Sequence, residues 1–172
     1  MKQFLITAFG EDRPGIVAKV TEILYKNGLN IEDSAMTRLN DEFVIMLVVK
    51  GDTEKSSLEN DLKSLEKEGI NFTVKEVPLS KEKEKEDYQL YNIIVYGSDK
   101  PGIVYNVSKL LAEKSINIAD LRTEKTKDLY VMFIQAEIPN SLDITELEKE
   151  VESLKDNLNV DISLQCVDTA NL

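Results

Sequence analysis

The 172-residue chain contains no histidine and no tryptophan, and only one cysteine and four prolines. Without histidine it lacks the side chain that most often serves as a general base near neutral pH, and the usual nitrogen ligand for zinc. The single cysteine, Cys166, excludes an intramolecular disulfide, which fits a reducing compartment. With no histidine to activate it, Cys166 reads as a small buried residue in the last strand and not as a nucleophile. Positive charge is also short: 21 Lys and Arg stand against 32 Asp and Glu, a formal net charge of −11. Such a surface repels phosphate backbones, and no basic patch offsets it, so direct nucleic-acid binding is not expected. Long hydrophobic runs are missing. The longest, Phe43 to Val49, stops at Lys50, far short of a membrane span. The amino-terminal apolar stretch is too short for a signal peptide, and the expectation is a cytoplasmic protein without membrane contact.

What is present is a repeat. "GEDRPGIV" (10–17) returns 87 residues later as "GSDKPGIV" (97–104). The same offset aligns Val20 and Leu24 with Val107 and Leu111, then Asn30, Ile31 and Asp33 with Asn117, Ile118 and Asp120. "FVIML" (43–47) then meets "YVMFI" (130–134) without a gap. Two such copies indicate two equivalent domains, and a chain with 42% hydrophobic residues can give each a core.

Each copy predicts the same elements. "QFLITAF" (3–9) reads as a strand, and Pro14 falls where the first turn of a helix tolerates proline. Ile16, Val17, Val20, Ile23 and Leu24 follow at helical spacing until Asn27-Gly28 stops the helix. Two strands follow around the turn at Asn40-Asp41. A helix with Leu58, Leu62 and Leu65 on one stripe ends at Gly69, and a last strand spans 70–77. The second copy predicts a strand at 89–97, a helix at 101–115, strands at 117–126 and 129–137, and a helix carrying Ile144, Leu147, Val151, Leu154 and Leu158. Its last strand spans 159–167. Strand-helix-strand-strand-helix-strand, twice, with right-handed crossovers, gives an α+β chain of two ferredoxin-like (βαββαβ) domains. The expected division is 1–79, a charged linker at 80–87 ("SKEKEKED"), and 88–172. "FVIMLVV" does not alternate, so both faces of that strand are expected to meet dry surface, through pairing of sheet faces or edges between copies or chains.

The pattern G-x-D-x-P-G-I-V, a helix, then N-I-x-D, doubled on this element order, resembles the ACT domain, a small regulatory module that commonly binds amino acids. The doubling resembles the tandem-ACT family of glycine cleavage repressors, and the first copy also resembles the regulatory head of formyltetrahydrofolate deformylases. The resemblance implies a ligand at an interface beside the Pro-Gly loop and the first residues of the second strand. It implicates Asp12, Gly15, Asn30 and Ile31, and in the second copy Asp99, Gly102, Asn117 and Ile118. The chemistry of these residues suits an amino acid. A helix start offers unpaired N–H groups to a carboxylate, glycine admits close approach, aspartate can face an ammonium, and asparagine can serve either end. The competing reading is that Asp, Pro and Gly only shape a turn. Arg13 and Lys100 read as solvated charges. Because "NGLNIEDS" and "KSINIADL" differ, the two sites are expected not to be equivalent.

No catalytic residue, metal site or cofactor is expected: neither G-x-x-x-x-G-K-[ST] nor G-x-S-x-G occurs, and no loop has EF-hand spacing. The expected partners are a small amino acid, a regulated protein, and a second copy or the other domain of the chain. The rival is a ligand-free module that pairs through its sheets.

Overall fold

A computed structural model describes residues 1–79, 87–127 and 129–167. In the first copy β1 (Lys2–Glu11) leads to α1 (Ile16–Lys26), β2 (Asn30–Leu39), β3 (Glu42–Gly51), α2 (Lys55–Glu66) and β4 (Asn71–Val77). The second copy runs through β5 (Tyr88–Gly97), α3 (Ile103–Glu113), β6 (Asn117–Lys125), β7 (Tyr130–Pro139), α4 (Ile144–Leu158) and β8 (Val160–Cys166). The strands form two four-stranded antiparallel sheets, ordered β2-β3-β1-β4 and β6-β7-β5-β8. The chain divides into two compact units, Met1–Glu82 and Lys83–Leu172. Of the expected linker, residues 80–86 lie outside the described residues.

Each unit buries one face of its sheet under both helices. Phe4, Ile6 and Ala8 of β1 alternate inward, as period two requires, opposite Val49, Leu47 and Ile45 of β3. Ile16, Val20 and Leu24 from α1 and Leu58, Leu62 and Leu65 from α2 complete the same cluster, so both helices cover one face. In the second unit Ile103, Val107 and Leu111 meet Ile93, Val95, Met132, Ile134 and Leu147. Gly10 belongs to this packing: a Cβ there would come within 2.5 Å of the Gly69 carbonyl oxygen, and one at Gly97 within 2.9 Å of Val160. The first glycine of the repeated motif is therefore set by close approach of the chain at or just before the start of the last strand.

The gap-free alignment ends after the third strand of each unit. Asn71 lies opposite Phe9 and Asp161 opposite Tyr96, so the offset has grown from 87 to 90. Most of the added length precedes α4, whose N-cap Asp143 already stands 89 residues after Glu54, the N-cap of α2.

Three expectations change. The helices begin at Ile16 and Ile103, not at the prolines, because Gly15 (φ 92°) and Gly102 (φ 96°) take the left-handed conformation and turn the chain first. The run 43–49 does alternate in burial: Phe43, Ile45, Leu47 and Val49 face the helices, while Met46 on the open face is 45% exposed. In the single chain that face is open to solvent at Met46. Cys166 is exposed, as the last residue of edge strand β8, which among the described residues pairs only with β5.

Candidate functional site

At the loop end of each unit, a left-handed glycine opens a helix whose first turn receives no side-chain cap. A Cβ at Gly15 would meet nothing within 4 Å, so this backbone is approachable from solvent. Asp12 is engaged from two sides. Its backbone N–H donates to the Asp41 carbonyl at 2.7 Å, and its carboxylate accepts from Arg38 at 3.4 Å. Asp99 makes the matching pair with Lys125 at 2.5 Å. Arg38 and Lys125 stand at the same place in the two copies, on the last residues of β2 and β6. They were missed as partners of the loop aspartates, although a basic residue 26 positions after each one is a signal that the alignment carries. Beneath Asp99, burial and then the Asp99 charge push the Tyr130 hydroxyl above its ordinary range.

Arg13 is exposed, as expected of a surface charge, and it is also a tether. It donates to the Glu68 carbonyl at 2.6 Å and to the Glu68 carboxylate at 3.2 Å, tying the loop after β1 to the one before β4. Lys19 also pairs with that carboxylate, and this hydrogen bond holds the Glu68 carboxyl below its usual range.

At the strand end, the ladder of β2 with β3 shifts between Ile31 and Asp33, and that of β6 with β7 shifts between Ile118 and Asp120. Both copies thus place a bulge on the residue after Asn-Ile, a device that re-aims side chains. Asn30 donates its amide to Glu32 at 2.8 Å, whereas Asn117 donates to Glu137 at 2.7 Å. Asn30 and Ile31 border an open cleft of about 480 Å³, walled by Ala18, Thr21, Glu22 and Tyr25 of α1 and floored by Leu24 and Leu29. In the second copy Tyr105 stands where Ala18 does and Ala112 where Tyr25 does, and Ile118 packs partly against the core.

The two ends do not meet within a unit. Asn30 sits opposite Lys50, which faces Gln3 at the start of β1, while Asp12 follows Glu11 at the other end. Eight residues of strand separate these positions, roughly 27 Å at the usual rise. A small molecule inside one unit touches Asp12 and Gly15, or Asn30 and Ile31, but not both sets.

Among the described residues, no group of three or more His, Cys, Asp and Glu side chains is placed to hold a metal ion. Nor is any helix among them long and apolar enough to cross a membrane. Burial, and next the neighbouring Cys166, push the Tyr91 hydroxyl upward at the end of β8.

The sequence model of the ACT domain matches residues 2–75 and 92–165. Among curated proteins, the glycine cleavage system transcriptional repressor of Escherichia coli is 26% identical over 170 residues, spanning 95% of this chain and 89% of its own. A UPF0237 protein of Methanococcus maripaludis is 42% identical over 74 residues, spanning 42% of this chain and 82% of its own. A crystal structure of an unknown protein from Galdieria sulphuraria superimposes with a TM-score of 0.80 at 26% identity, covering 96% of this chain and 98% of its own. With both copies matched across most of their length on a doubled βαββαβ fold, the chain belongs to the ACT domain family.

Proposed function

We propose that this protein is an amino-acid-responsive regulator. Its two ACT units bind a small amino acid and pass occupancy to a partner protein, without catalysis of their own. The observation that carries this reading is the doubled loop. In both copies a left-handed glycine opens an uncapped helix start, and an aspartate three residues earlier is held by a base from the end of the next strand. The uncapped N–H groups suit a carboxylate, and Asp12 or Asp99 suits an ammonium. Asn30 with Ile31, and Asn117 with Ile118, supply the second half of the contact set. Because the halves lie at opposite ends of a unit, the full set forms where the start of β2 or β6 lies beside the loop of another ACT unit.

The near full-length likeness to the glycine cleavage system transcriptional repressor supports transcriptional control of glycine or one-carbon metabolism. With a net charge of −11, this control runs through a protein partner and not through DNA contact. The single cysteine and the absence of histidine suit a cytoplasmic, non-catalytic role.

A second reading, a ligand-free pairing module, is favoured by one observation: the loop aspartates already have ion-pair partners. A thermal-shift screen of the free amino acids separates the two. A ligand that binds the native state alone raises the melting temperature with concentration, and the ligand-free module gives no such shift.

A further inference from the structure

The open face of the second sheet departs in chemistry from that of the first. Period two sends Ile93 and Val95 of β5, and Met132 and Ile134 of β7, under the helices. Asn92, Ile94, Phe133 and Gln135 therefore point the other way. Asn92 and Gln135 lie directly opposite each other on the two central strands, where the first copy pairs Leu5 with Val48. Asparagine is depleted in strands, and the Leu-Val pair shows that the fold does not need an amide here. Among the described residues, neither amide has a hydrogen-bond partner. Together with Asp120 they rim a cavity of about 340 Å³ that is also lined by Ile94 and Phe133, the latter 42% exposed. Asp120 joins this row because the bulge in β6 sets it opposite Gln135. We propose that this cavity binds an aminopurine, as free base or nucleoside, with its ring against Phe133 and its edge read by Asn92, Gln135 and Asp120.

Each feature narrows the ligand. An exposed aromatic face on a sheet receives another planar ring, and such stacking tolerates any base. The amides supply discrimination. Each presents a donor beside an acceptor, the complement of adenine's amine and the neighbouring ring nitrogen. Asp120 adds an acceptor, but one of its oxygens already accepts from Arg122 Nε at 3.1 Å. It can take a single exocyclic amine, and not in bidentate form the two donors on the edge of guanine. Charge disfavours the phosphorylated forms. Glu124 and Glu137 stand on the same face, in rows on either side of the cavity, and Arg122 between them is held by Asp120.

The site uses none of the residues assigned to the amino acid, so the test needs no amino acid. The isotope-labelled full chain is titrated with adenosine and followed by nuclear magnetic resonance. Saturable shifts of the Asn92 and Gln135 side-chain amide signals are expected. Adenine is expected to shift the same signals, and a preference between the two names the source. Guanosine is expected to bind on the order of tenfold more weakly, and adenosine monophosphate more weakly than adenosine. Asn92→Leu and Gln135→Val install the residues of the first copy, so both are expected to fold, as circular dichroism checks. Each is expected to weaken adenosine on the order of tenfold. Phe133→Met, also the first copy's residue, removes the aromatic face and is expected to weaken adenosine and guanosine alike. Met46→Ala, at the matching place in the first unit, is expected to leave binding unchanged. An unshifted spectrum up to the solubility limit of adenosine overturns the proposal. So does tighter binding of the monophosphate than of adenosine, or parental affinity in both Asn92→Leu and Gln135→Val.

Discussion

Gly10 and Gly15 stand five residues apart in one motif and are glycine for different reasons. At Gly10 a methyl group would press within 2.5 Å of the Gly69 carbonyl oxygen, so Gly10→Ala forces strand and loop apart, at about 1–3 kcal/mol. At Gly15 the space is open and the cost is conformational: alanine at φ 92° loses roughly 1–2 kcal/mol. Urea unfolding checks both, and a neutral Gly10→Ala would contradict the packing account. Asp143 gives a pH test at the same scale. It caps α4 by accepting from the Thr145 hydroxyl and backbone N–H, and these bonds hold its carboxyl below the ordinary value of 3.8. A depressed folded-state pKa adds stability that is complete above the unfolded value and is lost as pH falls through the folded one. Asp143→Asn keeps an acceptor but cannot titrate. Its deficit relative to the parent is therefore expected to shrink on acidification below 3.8, as followed by thermal melts across that range. The glycines were legible in the sequence because the copies share them. Their separate causes were not, since strand–loop distance and backbone φ leave no mark on residue type.

At the scale of elements, order and helical stripes were readable because apolar spacing of three and four is unambiguous in α1 and α2. "FVIMLVV" was not, because apolar residues on both faces hide the period of two that burial reveals in β3. Leu47 and Met46 test that difference. Leu47→Ala, from the helix-covered face, is expected to cost about 2–5 kcal/mol, and Met46→Ala, from the open face, less than about 1 kcal/mol. Similar losses at both positions would mean that the open face is covered in solution. The loop and the Asn-Ile pair were both expected, from the resemblance, to belong to one site. Their separation was not, because it follows from strand length and register: the chain runs up β1 and down α1 before β2 begins. Arg38 and Lys125 escaped for the same reason, as their nearness to the loop aspartates exists only once β2 and β6 are laid in the sheet.

For the whole molecule, two ACT units and an acidic surface define what can be asked. With a net charge of −11, binding of the isolated protein to duplex DNA at physiological salt is expected to be weaker than micromolar, measured by fluorescence anisotropy. Submicromolar binding would overturn the view that regulation runs through a protein partner. In the proposed function the paired loops and strand starts receive an amino acid. Isothermal titration with the amino acid that gives the largest thermal shift, on the parent and on Asn30→Ala and Asn117→Ala, tests it most directly. Loss of a hydrogen bond to a charged group costs on the order of 1.5–3 kcal/mol, about tenfold or more in affinity. Saturable binding by the parent and a loss of that size in at least one variant, with circular dichroism unchanged, are the expected results. Binding by both variants with the affinity of the parent, or no binding by any free amino acid, would contradict it.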